Sequence, residues 1–303
     1  MKMTALVCTR NRGDVVADSV RSILANDHPD FELVVVDQST DDLTQSAIAE
    51  MRHDERLRYV RSSEKGLSNA RNLGIGQAKS AIVAMTDDDC VVPTDWITRM
   101  ERAFQNPESL SIVLGNVVAA AYDESKGFVP SYSQTTSFIA RDLSGKHRIE
   151  GMAACMGMRV DAWRQLSGFD PMLGAGSVFH SADETDMIIR ALLKGHHVME
   201  TPDVAVTHQG LRSWDHAEST VHNYLYGIGA TIAKHTKLFN WSIVYVAMAL
   251  AGRWVFKRPA MDYGFHPGRR VRLIGFLTGF RDGLFTPADR RTGHFVSPKA
   301  RPS

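Results

Sequence analysis

Three consecutive aspartates, Asp87, Asp88 and Asp89, follow Thr86 at the end of an apolar run. Carboxylates set directly after a buried strand repel one another and lose hydration, which is costly unless a cation compensates. Hard oxygen donors favour Mg2+ or Mn2+, which commonly binds through one or two carboxylates and leaves its other positions to phosphate oxygens and water. The competing reading is a solvated acidic turn ahead of a helix at Thr94. A second acidic group, Asp183, Glu184 and Asp186, opens a segment of helical period. It offers a general base, or it only complements the positive end of a helix. Polar clusters also occur at Thr9, Arg10, Asn11 and Arg12, at Asp37, Gln38, Ser39, Thr40 and Asp41, and at residues 62–66. His208 closes a further apolar run and is either a structural histidine or a ligand.

The elements that must position these groups follow from hydrophobic period. Short β-branched runs at 4–8, 31–36, 57–60, 81–85 and 111–118 alternate with segments of helical spacing, among them Val16, Val20, Ile23 and Leu24, then Leu43, Ala47, Ile48 and Met51. Residues 67–79 form a small-residue helix, and Trp96, Ile97, Met100 and Phe104 share one stripe. The alternation predicts an α/β fold with a mainly parallel sheet and helices on both faces. Each of the first four polar clusters then falls at the carboxyl end of a strand, where open parallel sheets bind their ligands. Residues 122–150 are polar, without sustained period, and read as a long loop. A strand at 152–158, a short helix ending near Gly168, a loop through Gly174 and Gly176, a helix over 184–194 and strands at 197–200 and 204–208 follow. From Ala217 on the pattern is helical.

Composition bounds the class. A chain of 303 residues with 44% hydrophobic and 23% charged content can bury a large core. The net charge of +1 conceals an asymmetry, because from Trp241 onward there are eleven Lys or Arg against three Asp or Glu. Cys8, Cys90 and Cys155 are odd in number and contain no CxxC pair, which suits reduced thiols in a cytoplasmic setting. The first residues are too poor in apolar side chains for a signal peptide. The longest apolar run, 241–252, falls well short of the roughly 20 residues that span a bilayer. No Walker A sequence is present, and Gly74 and Gly76 lack the third glycine and the preceding strand of a dinucleotide fingerprint.

Four blocks carry a resemblance: residues 7–12 (VCTRNR), 34–41 (VVVDQSTD), 66–72 (GLSNARN) and 86–89 (TDDD). In order and spacing they resemble the successive blocks of glycosyltransferase family 2, whose fold is GT-A, a Rossmann-like nucleotide-diphospho-sugar transferase fold. The resemblance runs over about residues 4–210. It implies that Thr9, Arg10, Arg12, Asp37, Ser39, Gly66, Asn69, Arg71, Asp87 and Asp88 line the nucleotide-sugar site. Asp87 and Asp89 would form the DxD motif that holds Mn2+ or Mg2+, with His208 completing the metal shell or touching the diphosphate. The family's Glu-Asp pair appears here as Asp183 followed by Glu184, so register points to Glu184 as the base while chemistry also permits Asp183.

The resemblance further implies transfer of a sugar from a nucleotide-diphosphate donor, UDP by preference, to an acceptor hydroxyl with inversion. The acceptor would be a glycan or a lipid-linked molecule, in cell-surface polysaccharide or glycoconjugate synthesis. Residues 1–215 would form the catalytic domain, with 1–120 the donor half and 121–215 the acceptor and base half. Residues 216–303 would form a helical, basic extension. Trp214 and the loop at 210–215 could close over the donor. The alternative is a catalytically silent nucleotide-sugar-binding or scaffold subunit of a polysaccharide-assembly complex.

The extension joins an apolar helix at 241–250 to Arg253, Lys257, Arg258, Arg269, Arg270 and Arg272, with a second apolar piece at 273–285. Such a pairing can lie in the interface of a bilayer, at the inner face of the cytoplasmic membrane. It can equally be a helical pair packed on the sheet, or a homodimer contact. No zinc or RNA-binding signature accompanies the basic charge, so a nucleic-acid partner is not expected.

Overall fold

The computed structural model describes residues 2–105, 110–238, 240–251 and 269–297. Arg253, Lys257 and Arg258 of the basic stretch lie outside them. The first half alternates as its period predicts: β1 (Met3–Thr9), α1 (Gly13–Leu24), β2 (Phe31–Asp37), α2 (Leu43–Ala47), β3 (Leu57–Arg61), α3 (Leu67–Gly76) and β4 (Ile82–Asp87). A two-residue strand β5 (Cys90–Val91), α4 (Trp96–Ala103) and β6 (Leu110–Ala119) follow. The second half comprises β7 (Gly127–Phe128), β8 (Phe138–Ala140), β9 (Cys155–Arg159), α5 (Val160–Gln165), α6 (Asp183–Leu193), β10 (His197–His208) and β11 (Arg212–Ser213). Three helices complete it: α7 (Ala217–Lys237), α8 (Ile243–Ala251) and α9 (Arg269–Phe285).

The main sheet runs β3-β2-β1-β4-β9-β6-β10-β5, with β8 also pairing β10. Strands β1 to β4, and the pair β6 and β10, are parallel, whereas β9 runs antiparallel between β4 and β6. The expected mainly parallel sheet with helices on both faces is therefore observed. Successive residues of one strand serve opposite cores: Leu33 and Val35 pack with α1 and α4, Val34 and Val36 with α3 and α6. That double burial is why the strands read as unbroken apolar runs.

Three expectations differ. The stretch 122–150 carries the short strands β7 and β8 and a 3-10 turn at Leu143–Arg148 rather than unbroken loop. Strands of two and three residues are too short to show a period. The strands expected at 197–200 and 204–208 are one strand whose register slips between Glu200 and Ala205. Pro202 within it cannot donate to the ladder, which accounts for the apparent break. Strand β5 was invisible because its pairing with β10 is entirely non-local.

The C-terminal helices pack into this body. Lys234 of α7 is fully buried, 2.6 Å from Asp170 and 2.7 Å from Asp186. Asp186 also binds His235 at 2.9 Å and Arg190 at 2.8 Å, and the backbone N–H of Phe295 donates to Asp170. Burial pushes the Asp186 carboxyl up, but Lys234 and Arg190 overcome this and hold it well below the usual carboxylate range. Lys234→Met leaves two buried carboxylates without their shared cation. Its expected cost is about 3–5 kcal/mol of unfolding free energy, read as a lower denaturation midpoint in urea.

Candidate active site

Parallel register brings the clusters after β1, β2 and β4 together: Thr9 lies opposite Asp37, and Cys8 opposite Asp87. The chain then turns through Asp88 and Asp89 into β5, whose Cys90 pairs with His208. This short antiparallel pairing sets Asp89 beside a histidine 119 positions later in the chain, with His208 Nε2 3.1 Å from Asp89 Oδ1. On the other side, α3 approaches β1 closely enough that a Cβ at Gly74 would lie 2.9 Å from a Leu6 methyl. Arg71, nearly one turn earlier, thereby reaches both Asp87, at 3.4 Å, and Asp183 at the start of α6.

Each carboxylate has distinct company. Asp88 accepts from Thr9 Oγ1 at 2.7 Å and from Arg12 Nη1 at 2.8 Å; burial nonetheless pushes it up to about 6. Arg12 Nη2 also binds Asp89 at 2.8 Å. Burial raises Asp89, but His208 and Arg12 beside it outweigh that and leave the group ionised well below the usual range. Thr9 and Arg12 are thus turned onto the acidic turn itself. Asp37 is fully buried, accepting from the Ser39 backbone N–H at 2.8 Å and the Tyr59 hydroxyl at 2.6 Å. Ser39 Oγ accepts from the Asn11 backbone N–H at 2.7 Å. Gly66 holds φ +104° ahead of α3, which an L side chain would resist, and its carbonyl accepts from Gln38. Asn69 donates to the Lys65 carbonyl at 2.8 Å, shaping the same loop.

Two polar atoms are left over. Arg10 Nε is buried and without a hydrogen-bond partner, a cationic donor with no acceptor. His208 Nδ1 lies 2.6 Å from the Pro130 carbonyl, so it donates there, and buried Nε2 makes no well-aligned hydrogen bond beyond its ion-pair approach to Asp89. The space between His208 and Asp89 is kept open by Gly210, where a Cβ would lie 2.9 Å from His208 Nε2 and closer still to Asp89 Oδ2. Asp89, Cys90 and His208 converge within 4.8 Å. Burial pushes the Cys90 thiol up, so it stays neutral, and the imidazole and carboxylate are the donors suited to a hard cation. This donor set fits a divalent metal.

Asp183 is engaged by Arg71, whereas neighbouring Glu184 keeps part of its surface in solvent while protein crowds its carboxyl. Burial, then the charge of Asp183, pushes Glu184 up to about 8. The turn leading into α6 is strained, with His180 at φ +61° and Ala182 at φ +68°. Trp214 does not stand free: its indole N–H donates to the Glu124 carbonyl at 2.9 Å and its ring meets Phe128.

Sequence reasoning missed two residues here. Arg212 Nη2 comes within 3.6 Å of Asp89 Oδ2. Tyr224 reaches the site from α7, which packs on Ser181 so closely that Gly227 has no room for a side chain. Burial raises the Tyr224 phenol; Arg212 opposes this, while Glu184, Asp87 and Asp89 add to it. Neither residue has a local signal, since one sits in a two-residue strand and the other at an unremarkable position of a helical pattern.

This sheet is the one seen in GT-A glycosyltransferases. TarS of S. aureus in complex with UDP-GlcNAc superposes over 85% of this chain and 74% of its own, with TM-score 0.60 at 18% identity. The mannosyltransferase PcManGT from Pyrobaculum calidifontis, in complex with GDP-Man and Mn2+, matches 93% of this chain and 87% of its own, also at 0.60 and 18%. At such identity the likeness establishes the fold. The family model for glycosyl transferase family 2 matches residues 4–166, and the chain belongs to that family. Glycosyltransferase GlyG of Streptococcus pneumoniae serotype 4 is 28% identical over 144 residues, 47% of either chain. The succinoglycan biosynthesis protein ExoO of Rhizobium meliloti is 35% identical over 103 residues, 33% of this chain and 29% of its own. The chain thus spans about half of GlyG and less than a third of ExoO.

Two variants probe the geometry. Glu184 ionises near 4.5 when unfolded and near 8 when folded, so the stability it contributes is present below pH 4.5 and lost as pH rises to about 8. Glu184→Gln is therefore expected to melt higher than wild type at pH 9, by roughly 1–3 kcal/mol, with the gap closing near pH 4. Gly210→Ala should leave the fold intact, yet weaken Mn2+-dependent nucleotide binding by at least about tenfold, about 1.4 kcal/mol, in titration calorimetry.

Proposed function

We propose that this glycosyltransferase moves a sugar from a nucleotide-diphosphate sugar, a UDP-sugar by preference, to an acceptor hydroxyl with inversion at the anomeric carbon. The observations that carry this reading are Arg10 Nε, buried without a hydrogen-bond partner, and His208 Nε2, facing the Asp89 carboxylate at 3.1 Å at the strand ends. An anionic diphosphate would satisfy the first and a Mn2+ or Mg2+ ion the second. Asp89, Asp87 and His208 would hold the cation, which when bound neutralises charge on the diphosphate. The neighbours' printed ligands, UDP-GlcNAc in TarS and GDP-Man with Mn2+ in PcManGT, are of the same chemical kind.

The chain's own residues supply the remaining steps. Glu184 takes the proton from the acceptor hydroxyl as its oxygen attacks the anomeric carbon from the face opposite the diphosphate. Asp183, already occupied by Arg71, positions that guanidinium and is the less available base. The leaving nucleoside diphosphate gains negative charge where Arg10 and Arg212 stand, so these cations stabilise the transition state more than the ground state. Residues 1–120 would serve the donor and 121–215 the acceptor and base, with the helices from 216 onward closing one side. ExoO's place in succinoglycan biosynthesis supports a glycan or lipid-linked acceptor in polysaccharide or glycoconjugate synthesis.

A panel of nucleoside diphosphates with and without Mn2+ tests the reading by thermal shift. One base should raise the melting temperature only with metal, equivalent to about 2.7 kcal/mol at a hundredfold excess over Kd. Asp89→Ala should abolish the shift. Absence of a shift with every nucleotide would instead favour a silent scaffold subunit.

A further inference from the structure

Exposed apolar surface is concentrated at one end of the chain. Of the fourteen large apolar side chains exposed among the described residues, nine belong to the last two helices and the residues beside them. Trp241, Val244, Tyr245 and Met248 lie on or just before α8, and Leu273, Ile274, Leu277, Leu284 and Phe285 lie on α9. Phe285 is 83% exposed.

The reason lies in how α9 docks. Gly275, Gly279 and Gly283 recur every four residues and face α7. A Cβ at Gly275 would lie 2.7 Å from the His222 carbonyl oxygen, and one at Gly283 2.7 Å from Ala230 Cα. Small residues at this spacing let two helix backbones approach closely, as in bilayer-embedded helices. A helix in water normally turns its leucines inward and its small or polar residues outward. Here the glycines are buried, and the leucines face out.

The same outward arc is cationic. Arg270 and Arg281 are eleven residues apart, three turns, and share a face with Leu273, Leu277 and Leu284. Arg269 is also exposed, and Asp282, the sole acidic residue of α9, is taken up by Tyr226 and Arg281. No helix among the described residues is long and apolar enough to cross a membrane.

We propose that the outer face of α9 docks on the surface of an anionic phospholipid bilayer. Apolar side chains enter the headgroup boundary while the arginines bind lipid phosphates. A second copy of the chain fits the face less well, since a twofold contact would bring two cationic faces together.

Co-sedimentation of the full chain with phosphatidylcholine vesicles, with and without phosphatidylglycerol, decides the matter. Binding should rise at least tenfold with phosphatidylglycerol, fall with salt, and be lost in Leu277→Glu and in Arg270→Glu. Both variants should keep the wild-type melting temperature, because both side chains point outward. Should Leu277→Glu fail to fold, Phe285→Ser takes its place. Absence of vesicle binding, equal binding to neutral vesicles, or a dimer in sedimentation velocity that Leu277→Glu dissociates would each overturn the proposal. The vesicle assay contains no nucleotide, so its failure leaves the donor-site reading standing, and failure of the thermal-shift panel leaves this one standing.

Discussion

Arg71 is the group on which both sides of the candidate site depend. Its guanidinium, 5% exposed, binds Asp183 at the start of α6 and reaches Asp87 at the end of β4. A cation stripped of water costs several kcal/mol unless well-placed anions replace the lost hydration, and the carboxylates face the same penalty without it. Neither side of the pairing is tolerable alone. The position of Arg71 is in turn a packing result, because Gly74 lets α3 lie directly on Leu6 of β1. Close backbone approach on one face of the sheet thus fixes the charge balance at its edge.

Arg12 plays the corresponding part for the acidic turn, bridging Asp88 and Asp89. Arg71 and Arg12 thus share the compensation of Asp87, Asp88, Asp89 and Asp183, with His208 and Arg212 also beside Asp89. Arg10 Nε is buried without a hydrogen bond, and His208 Nε2 has only its 3.1 Å approach to Asp89. A site so arranged has its internal charges largely balanced and still lacks an acceptor at one group and an electrophile at another. That imbalance is where a ligand's own charge contributes most, since the local dielectric is low and the dipoles are already oriented.

The C-terminal helices belong to the same electrostatic design. Lys234 on α7 is neutralised by Asp170 and Asp186, and the latter lies one turn beyond Asp183 on α6. The helix that carries the candidate base is thereby anchored from a segment some fifty residues downstream. A lysine directly after the largely apolar stretch 228–233 is a legible sign of a buried partner, although the partner's identity is not. The two sides of α7 do different work: one closes the ion network and approaches Ser181, while the other meets the glycine face of α9.

The sequence by itself determined the alternation of strands and helices, because double burial leaves a record in the local order of apolar residues. It also determined which side chains stand at the strand ends, since chain order alone places Thr9, Asp37 and Asp87 after β1, β2 and β4. What it could not determine were pairings that cost nothing in local pattern: β5 on β10, which sets His208 beside Asp89; Arg71 between Asp87 and Asp183; and Tyr224 beside the site from α7. It left open which of Asp183 and Glu184 is ion-paired, and the fold pairs Asp183 with Arg71. It also placed leucine and glycine on α9 without saying which would face inward. Only tertiary packing decides that, because the closest approach of two backbones depends on the absence of side chains on both at once.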